Sequence, residues 1–107
     1  MLNNNPIVIA DPQGVIRFWS PGAEMTFGYS AAQSVGESLD LIVPADYREA
    51  HWKGFHRAVA NGEAAVEGQV NAIPVRRANG DIIEVPGRLT LVRQSSGQII
   101  AVMVVFG

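Results

Sequence analysis

"IVIADPQGVIRFWSPGAEMTFGYSAAQSVGESLDLIVP", residues 7–44, holds two short apolar runs followed by a string of helix signals. The runs flank Asp11-Pro12-Gln13-Gly14, a composition that favours a reverse turn, so residues 6–19 read as two short strands. Ser20 offers an N-cap with Pro21 at the first helical position, and that helix should end near Gly28. Ser30 and Gln33 have the spacing of a capping box, which opens a second short helical turn closed by Gly36.

Beyond this stretch, Pro44 precedes the longest helical pattern, residues 45–60, and Asn61-Gly62 supplies its stop. The apolar period then changes to two. Residues 66–77, 81–93 and 98–106 read as strands, with a strong hairpin turn at Asn79-Gly80 and another at Ser95-Ser96-Gly97. Pro74 predicts an edge strand, and Pro86 predicts a bulge or an unpaired position. The order predicts an α+β fold: a five-stranded antiparallel sheet with its helices gathered over one face.

The chain of 107 residues has room for one domain, residues 1–107, with one real core. Hydrophobic residues at 48% and charged ones at 17% fit a soluble globular protein. A net charge of −2 with scattered basic residues argues against nucleic-acid or anionic-membrane partners. The absence of cysteine removes disulfides, thiolate catalysis, cysteine-built zinc sites and covalent haem attachment. With neither a signal-peptide pattern nor a membrane-length apolar segment, the expected location is cytoplasmic. No nucleophile–base motif, phosphate loop or carboxylate cluster is present, so the chain does not read as an enzyme.

Both histidines lie in the long helix, "DYREAHWKGFHRAVANG", residues 46–62. At about 100° per residue, Ala58, Tyr47, Phe55 and Gly54 fall within about 60° of His51. Glu49, Lys53, His56 and Arg57 fall more than about 110° away. His51 is therefore central to the apolar face, and His56 is an ordinary solvated residue. A histidine so placed is either a core or groove-edge residue bonded to a carbonyl, or an axial ligand to a planar metal cofactor. Gly54 on the same face would let a flat ring approach the helix. Spacing alone leaves both readings open.

Taken in order, "IADPQG", "FWSPGAEMTFGYS", "VGESL", the Pro-started and Gly-ended helix, "ANG" and the last apolar strand resemble a PAS domain over essentially the whole chain. Within that family, "IVPADYREAHWKGFHRAVANGE" is most similar to the haem-binding sensor domains of FixL and direct-oxygen-sensor type. That resemblance implies b-type haem, His51 as the iron ligand, and Arg57 with Tyr47 beside the propionates. It also implies a distal pocket shaped by Gln69, Asn71, Leu89 and Met103. Asn71 stands where FixL-type sensors carry arginine, and Gln69 where direct oxygen sensors carry methionine. Residues 69, 71, 73 and 75 share a strand face. Ile83, Val85, Gly87, Leu89 and Leu91 make an apolar face on the next strand, with Gly87 expected to leave room. The implied function is a sensor of a diatomic gas or of redox state, working as a homodimer or with a fused or partner output domain. The alternative is a PAS module without haem, serving dimerisation, small-molecule binding or signal relay. A flavin photoreceptor of the light-oxygen-voltage type would need a reactive cysteine, which the chain lacks.

Overall fold

Strands β1 (Ile7–Ala10) and β2 (Ile16–Trp19) open the chain in the computed structural model, which describes residues 4–107. The turn between them is organised by one carboxylate. Asp11 Oδ1 accepts the backbone N–H groups of Gln13 (2.9 Å) and Val15 (3.0 Å), while Oδ2 accepts from Arg17 Nε (2.9 Å). Desolvation alone would raise the Asp11 carboxyl's pKa, but the hydrogen bonds from Val15 N–H, Arg17 and Gln13 N–H together outweigh it and hold the group below the usual range.

Helix α1 (Pro21–Phe27) starts as the N-cap predicts: Ser20 Oγ accepts from the Ala23 N–H at 3.1 Å. The same oxygen accepts from the Ile7 N–H at 2.8 Å, so one hydroxyl joins the helix start to β1. In α2 (Ala31–Ser34) both halves of the Ser30–Gln33 capping box are formed. Two short 3-10 turns, Leu39–Leu41 and Ala45–Tyr47, lead into α3 (Arg48–Asn61), so the first three residues of the expected long helix are wound more tightly than the rest.

Three long strands follow: β3 (Val70–Arg76), β4 (Ile82–Arg93) and β5 (Ile99–Phe106). All pairings are antiparallel and the sheet order is β2-β1-β5-β4-β3. This is the expected α+β architecture. One boundary differs, because β3 begins at Val70 rather than at residue 66. Glu67 N–H bonds to Ala64 O and Gln69 N–H to Val66 O, which winds residues 64–69 into turns.

Both prolines fit the ladder. Pro74 lies on β3, an edge strand, as expected. Pro86 opposes Ala72 in unbroken register, and its carbonyl accepts from Gly107 N–H at 2.7 Å. Its missing N–H therefore faces the side on which β5 has already ended, an unpaired position rather than a bulge. By strand parity, residues 70, 72, 74 and 76 turn their backbone polar groups away from β4. The Arg76 N–H accordingly donates outward to Ile42 O at 2.8 Å.

The covered face of the sheet packs two separate cores. One joins Val8, Ile16, Trp19, Ala23, Phe27, Ile42, Val75 and Phe106; the other joins α3 to the sheet through Phe55, Ala58, Leu91, Ile99 and Val102. Among the described residues no helix is long and apolar enough to cross a membrane.

Candidate functional site

Between the two cores lies a cavity of about 1000 Å³, at the upper end of the ~300–1,000 Å³ usual for small-molecule and cofactor sites. Its roof is α3, from which Ala50, His51, Gly54, Phe55 and Ala58 face in. The floor is the sheet, with Val8, Val75, Leu89, Leu91, Val102 and Val104. The wall is almost wholly apolar, and polar residues gather at Tyr47, His51, Arg57, Asn61, Glu63 and Asn71.

His51 is half-buried on the apolar face that the helical period assigns it, and Phe55 and Ala58 beside it are buried. Its ring meets Trp52 edge-on, centroids 4.7 Å apart, and lies tilted over Phe55 at 5.8 Å. Trp52 is fixed in turn: its Nε1–H donates to Asp40 Oδ1 at 2.7 Å, and its ring covers Gly14. His51 Nδ1 is buried and has no hydrogen-bond partner. Thus the carbonyl-bonded form of the core-histidine reading does not hold. Burial lowers the imidazole's pKa; the Asp40 charge pulls the other way, and His56 adds a smaller push downward. The ring is kept neutral, as a ligand nitrogen must be. His56 is exposed and stacks on Trp52 at 5.6 Å, away from the cavity lining.

Five of the seven residues expected at the site do line the cavity: His51, Arg57, Tyr47, Asn71 and Leu89. Arg57 is exposed and makes no ion pair among the described residues, so its guanidinium is available at the mouth. Two stand elsewhere. Gln69 precedes β3, in the turn, where its amide donates to Ala65 O at 3.3 Å. Met103 alternates with Val102 and Val104 on β5, so it points to the opposite face, across from Ile9 and Thr90. Gly87 lines the cavity, but a Cβ there would come within 2.5 Å of Ile73 Cδ1 and 3.3 Å of Val104 Cγ1, so neighbouring side chains take up part of the room that this glycine leaves. Gly54 is the opposite case: a Cβ there would meet nothing within 4 Å.

Sequence reading missed residues 63–66 as a cavity wall. The available signal was the pair Gly62 and Gly68, which brackets a short segment with a left-handed backbone at each end. The anchoring of Trp52 by Asp40, 12 residues away, had no local signal.

A family model for the PAS fold matches residues 3–106, and the chain belongs to that family. It is a sensory and signalling module of the PAS class. It is 28% identical over 76 residues to the oxygen sensor protein DosP of Escherichia coli K12, covering 71% of this chain and 10% of that protein. It is 23% identical over 91 residues to the sensor protein FixL of Bradyrhizobium diazoefficiens, covering 85% of this chain and 18% of that protein. The crystal structure of a PAS domain from Colwellia psychrerythraea superposes with a TM-score of 0.81 at 22% identity, over 98% of this chain and 86% of that one. The chain thus spans less than a fifth of the length of either named sensor.

Proposed function

We propose that this domain holds a b-type haem in the cavity through His51 and reports a diatomic gas or a redox change to a partner. The observation that carries this reading is the pair His51 and Gly54 on one face of α3. His51 presents a neutral imidazole to the cavity and leaves a buried nitrogen unpartnered, a state that costs about 1–3 kcal/mol and calls for an explanation. Glycine inside a helix costs roughly 1 kcal/mol relative to alanine, and no neighbouring atom requires it at position 54. A flat ring seated against the helix accounts for both. Among the described residues no three His, Asp or Glu stand together, so a metal at His51 would have to bring its other ligands with it, as haem does.

In this reading His51 supplies the iron ligand, and Arg57 and Tyr47 at the mouth receive the propionates by charge and hydroxyl. The apolar wall excludes water. Haem supplies the gas-binding or redox centre; the chain supplies orientation, dryness and the rim amide of Asn71. The outer sheet face, with Phe18 and Ile100 about half exposed and Met103 beside them, passes the change to a second copy or an output domain. DosP and FixL are named as sensors, and their similarity supports the reading. The role is sensory and not catalytic, in the cytoplasm.

The decisive experiment is a haemin titration of the ligand-free protein. One equivalent should bind and give a sharp Soret band in the wild type and in His56→Ala, and His51→Ala should lose it. Equal loss in both variants, or in neither, rules out His51 as the ligand.

Asn71 offers a diatomic ligand a neutral amide where an arginine would offer a charge-assisted bond. The difference, ~1–2 kcal/mol, is roughly five- to thirty-fold in affinity. Asn71→Arg should therefore tighten oxygen relative to carbon monoxide by that factor. Gln69→Leu should leave the ratio unchanged, since Gln69 lies outside the cavity. Paired oxygen and carbon monoxide titrations of the reduced protein measure it.

A further inference from the structure

Residues 63–67 form a short strap between two glycines with left-handed backbones, Gly62 (φ 74°) and Gly68 (φ 81°). Glu63, Ala64, Ala65 and Val66 make one wall of the cavity. The strap covers a place where the sheet is incomplete. β3 pairs with β4 only as far as Arg88, so the N–H and C=O groups of Leu89 and Leu91 face an empty edge.

The strap fills that edge. Gly68 N–H donates to Leu89 O at 2.9 Å, and the Leu91 N–H donates to Glu67 Oε2 at 2.8 Å, so a side-chain carboxylate stands in for the missing strand. Arg93 pins that carboxylate: its Nη2 donates to Glu67 Oε1 at 2.6 Å and its Nη1 to Oε2 at 3.2 Å. The same guanidinium holds the hinge, Nε donating to Gly62 O at 3.0 Å. Among the described residues, every hydrogen bond from residues 63–68 to the sheet passes through Glu67 or Gly68. Arg93 first, and the Leu91 N–H second, hold the Glu67 carboxyl below the usual range.

The geometry points to a latched gate: Glu67 and Arg93 close a hinged strap over the cavity and set the rate at which an apolar or planar ligand enters and leaves. A surface ion pair alone would be a weak fastener. Here the carboxylate also satisfies an otherwise unpaired backbone donor, and only the two hinges and the latch need to change for the wall to swing away. Small side chains at Ala64 and Ala65 give the strap little to extract from the core. The inference rests on the cavity and not on the identity of its occupant.

The test uses the ligand-free domain, with 8-anilinonaphthalene-1-sulfonate as an aromatic probe of the cavity. Glu67→Ala and Arg93→Ala are compared with Asp81→Ala, which breaks a different exposed ion pair. Amide hydrogen exchange at Gly68 and Leu91 should quicken in the first two variants only. Stopped-flow association and dissociation of the probe should both accelerate, by roughly three- to ten-fold for loss of one to two hydrogen bonds. The equilibrium constant should stay within about two-fold. Faster exchange with unchanged probe rates would show that the strap opens but is not the entrance, and overturns the gate. So does a change in dissociation alone, unchanged exchange, or a wild type that does not bind the probe. Haemin plays no part, so a failed haem titration leaves this test standing.

Discussion

Replacing His51 with leucine is expected to stabilise the ligand-free domain by about 1–2 kcal/mol and to abolish its retention of haem. The two effects share one cause. The imidazole places an unpartnered nitrogen beside Trp52 and Phe55. Leucine would bury only carbon there, and the cavity beside it can take up the difference in shape. Acid should widen the gap. The unfolded chain protonates its histidine near the ordinary value of 6.5, whereas burial makes folded His51 resist the proton. Below that value the unfolded state binds more protons, so wild-type stability falls with pH until the folded group also titrates. The His51→Leu variant has no such dependence. Urea midpoints at pH 7.5 and 5.0, with haem retention on a desalting column, measure all three effects. A less stable variant at both pH values would mean that His51 is a structural residue with a partner, and that its ligand role is misassigned.

Gly14→Ala should be a severely damaging single-methyl change, costing about 3 kcal/mol. Two penalties combine. Gly14 has φ +82°, where any side chain is strained, and a Cβ would run into the six-membered ring of Trp52. Trp52 cannot simply step aside, because doing so gives up its bond to Asp40 and its packing against His51. A loss of that size corresponds to a fall of roughly 15 °C in melting temperature for a domain of this length. Gly36→Ala separates the penalties: its φ is +96°, but nothing lies within 4 Å. It should cost only the backbone strain, about 1 kcal/mol. Equal losses in the two variants would show that the Trp52 contact carries no weight.

What could be read from the sequence was what is decided locally. The Ser20 cap, the Ser30–Gln33 box and the Gly28 and Gly62 helix ends depend on residues within one turn of each other, and all formed. His51 could be placed because a 14-residue helix fixes its faces by period alone. Strand parity is less forgiving. Side chains alternate, so facing in or out depends on where pairing begins. Asn71 lines the cavity from β3 although it is exposed, whereas Gln69, two residues earlier, has already left the ladder for the turn. Met103 was assigned from its position in the family, although Val102 and Val104 on either side claim the inner face. The glycines at 54 and 87 look alike in sequence and differ only in what stands over them, Ile73 and Val104 in one case and open space in the other. That distinction, like the Asp40–Trp52 bond and the Glu67–Arg93 latch, is settled by chain segments that meet only after folding.

The outward backbone of β3 also decides how the domain behaves in crowded solution. An open strand edge is a template on which another chain can lengthen the sheet, the first step toward fibrils. Of the four outward positions on this edge, Pro74 has no N–H and the N–H of Arg76 is already taken by Ile42. A second strand would find free donors only at Val70 and Ala72, too few to hold a ladder in register. The β3 edge is thus closed to growth without a covering helix, and the outer apolar face can associate with another surface while this edge resists the strand-to-strand pairing that leads to amyloid.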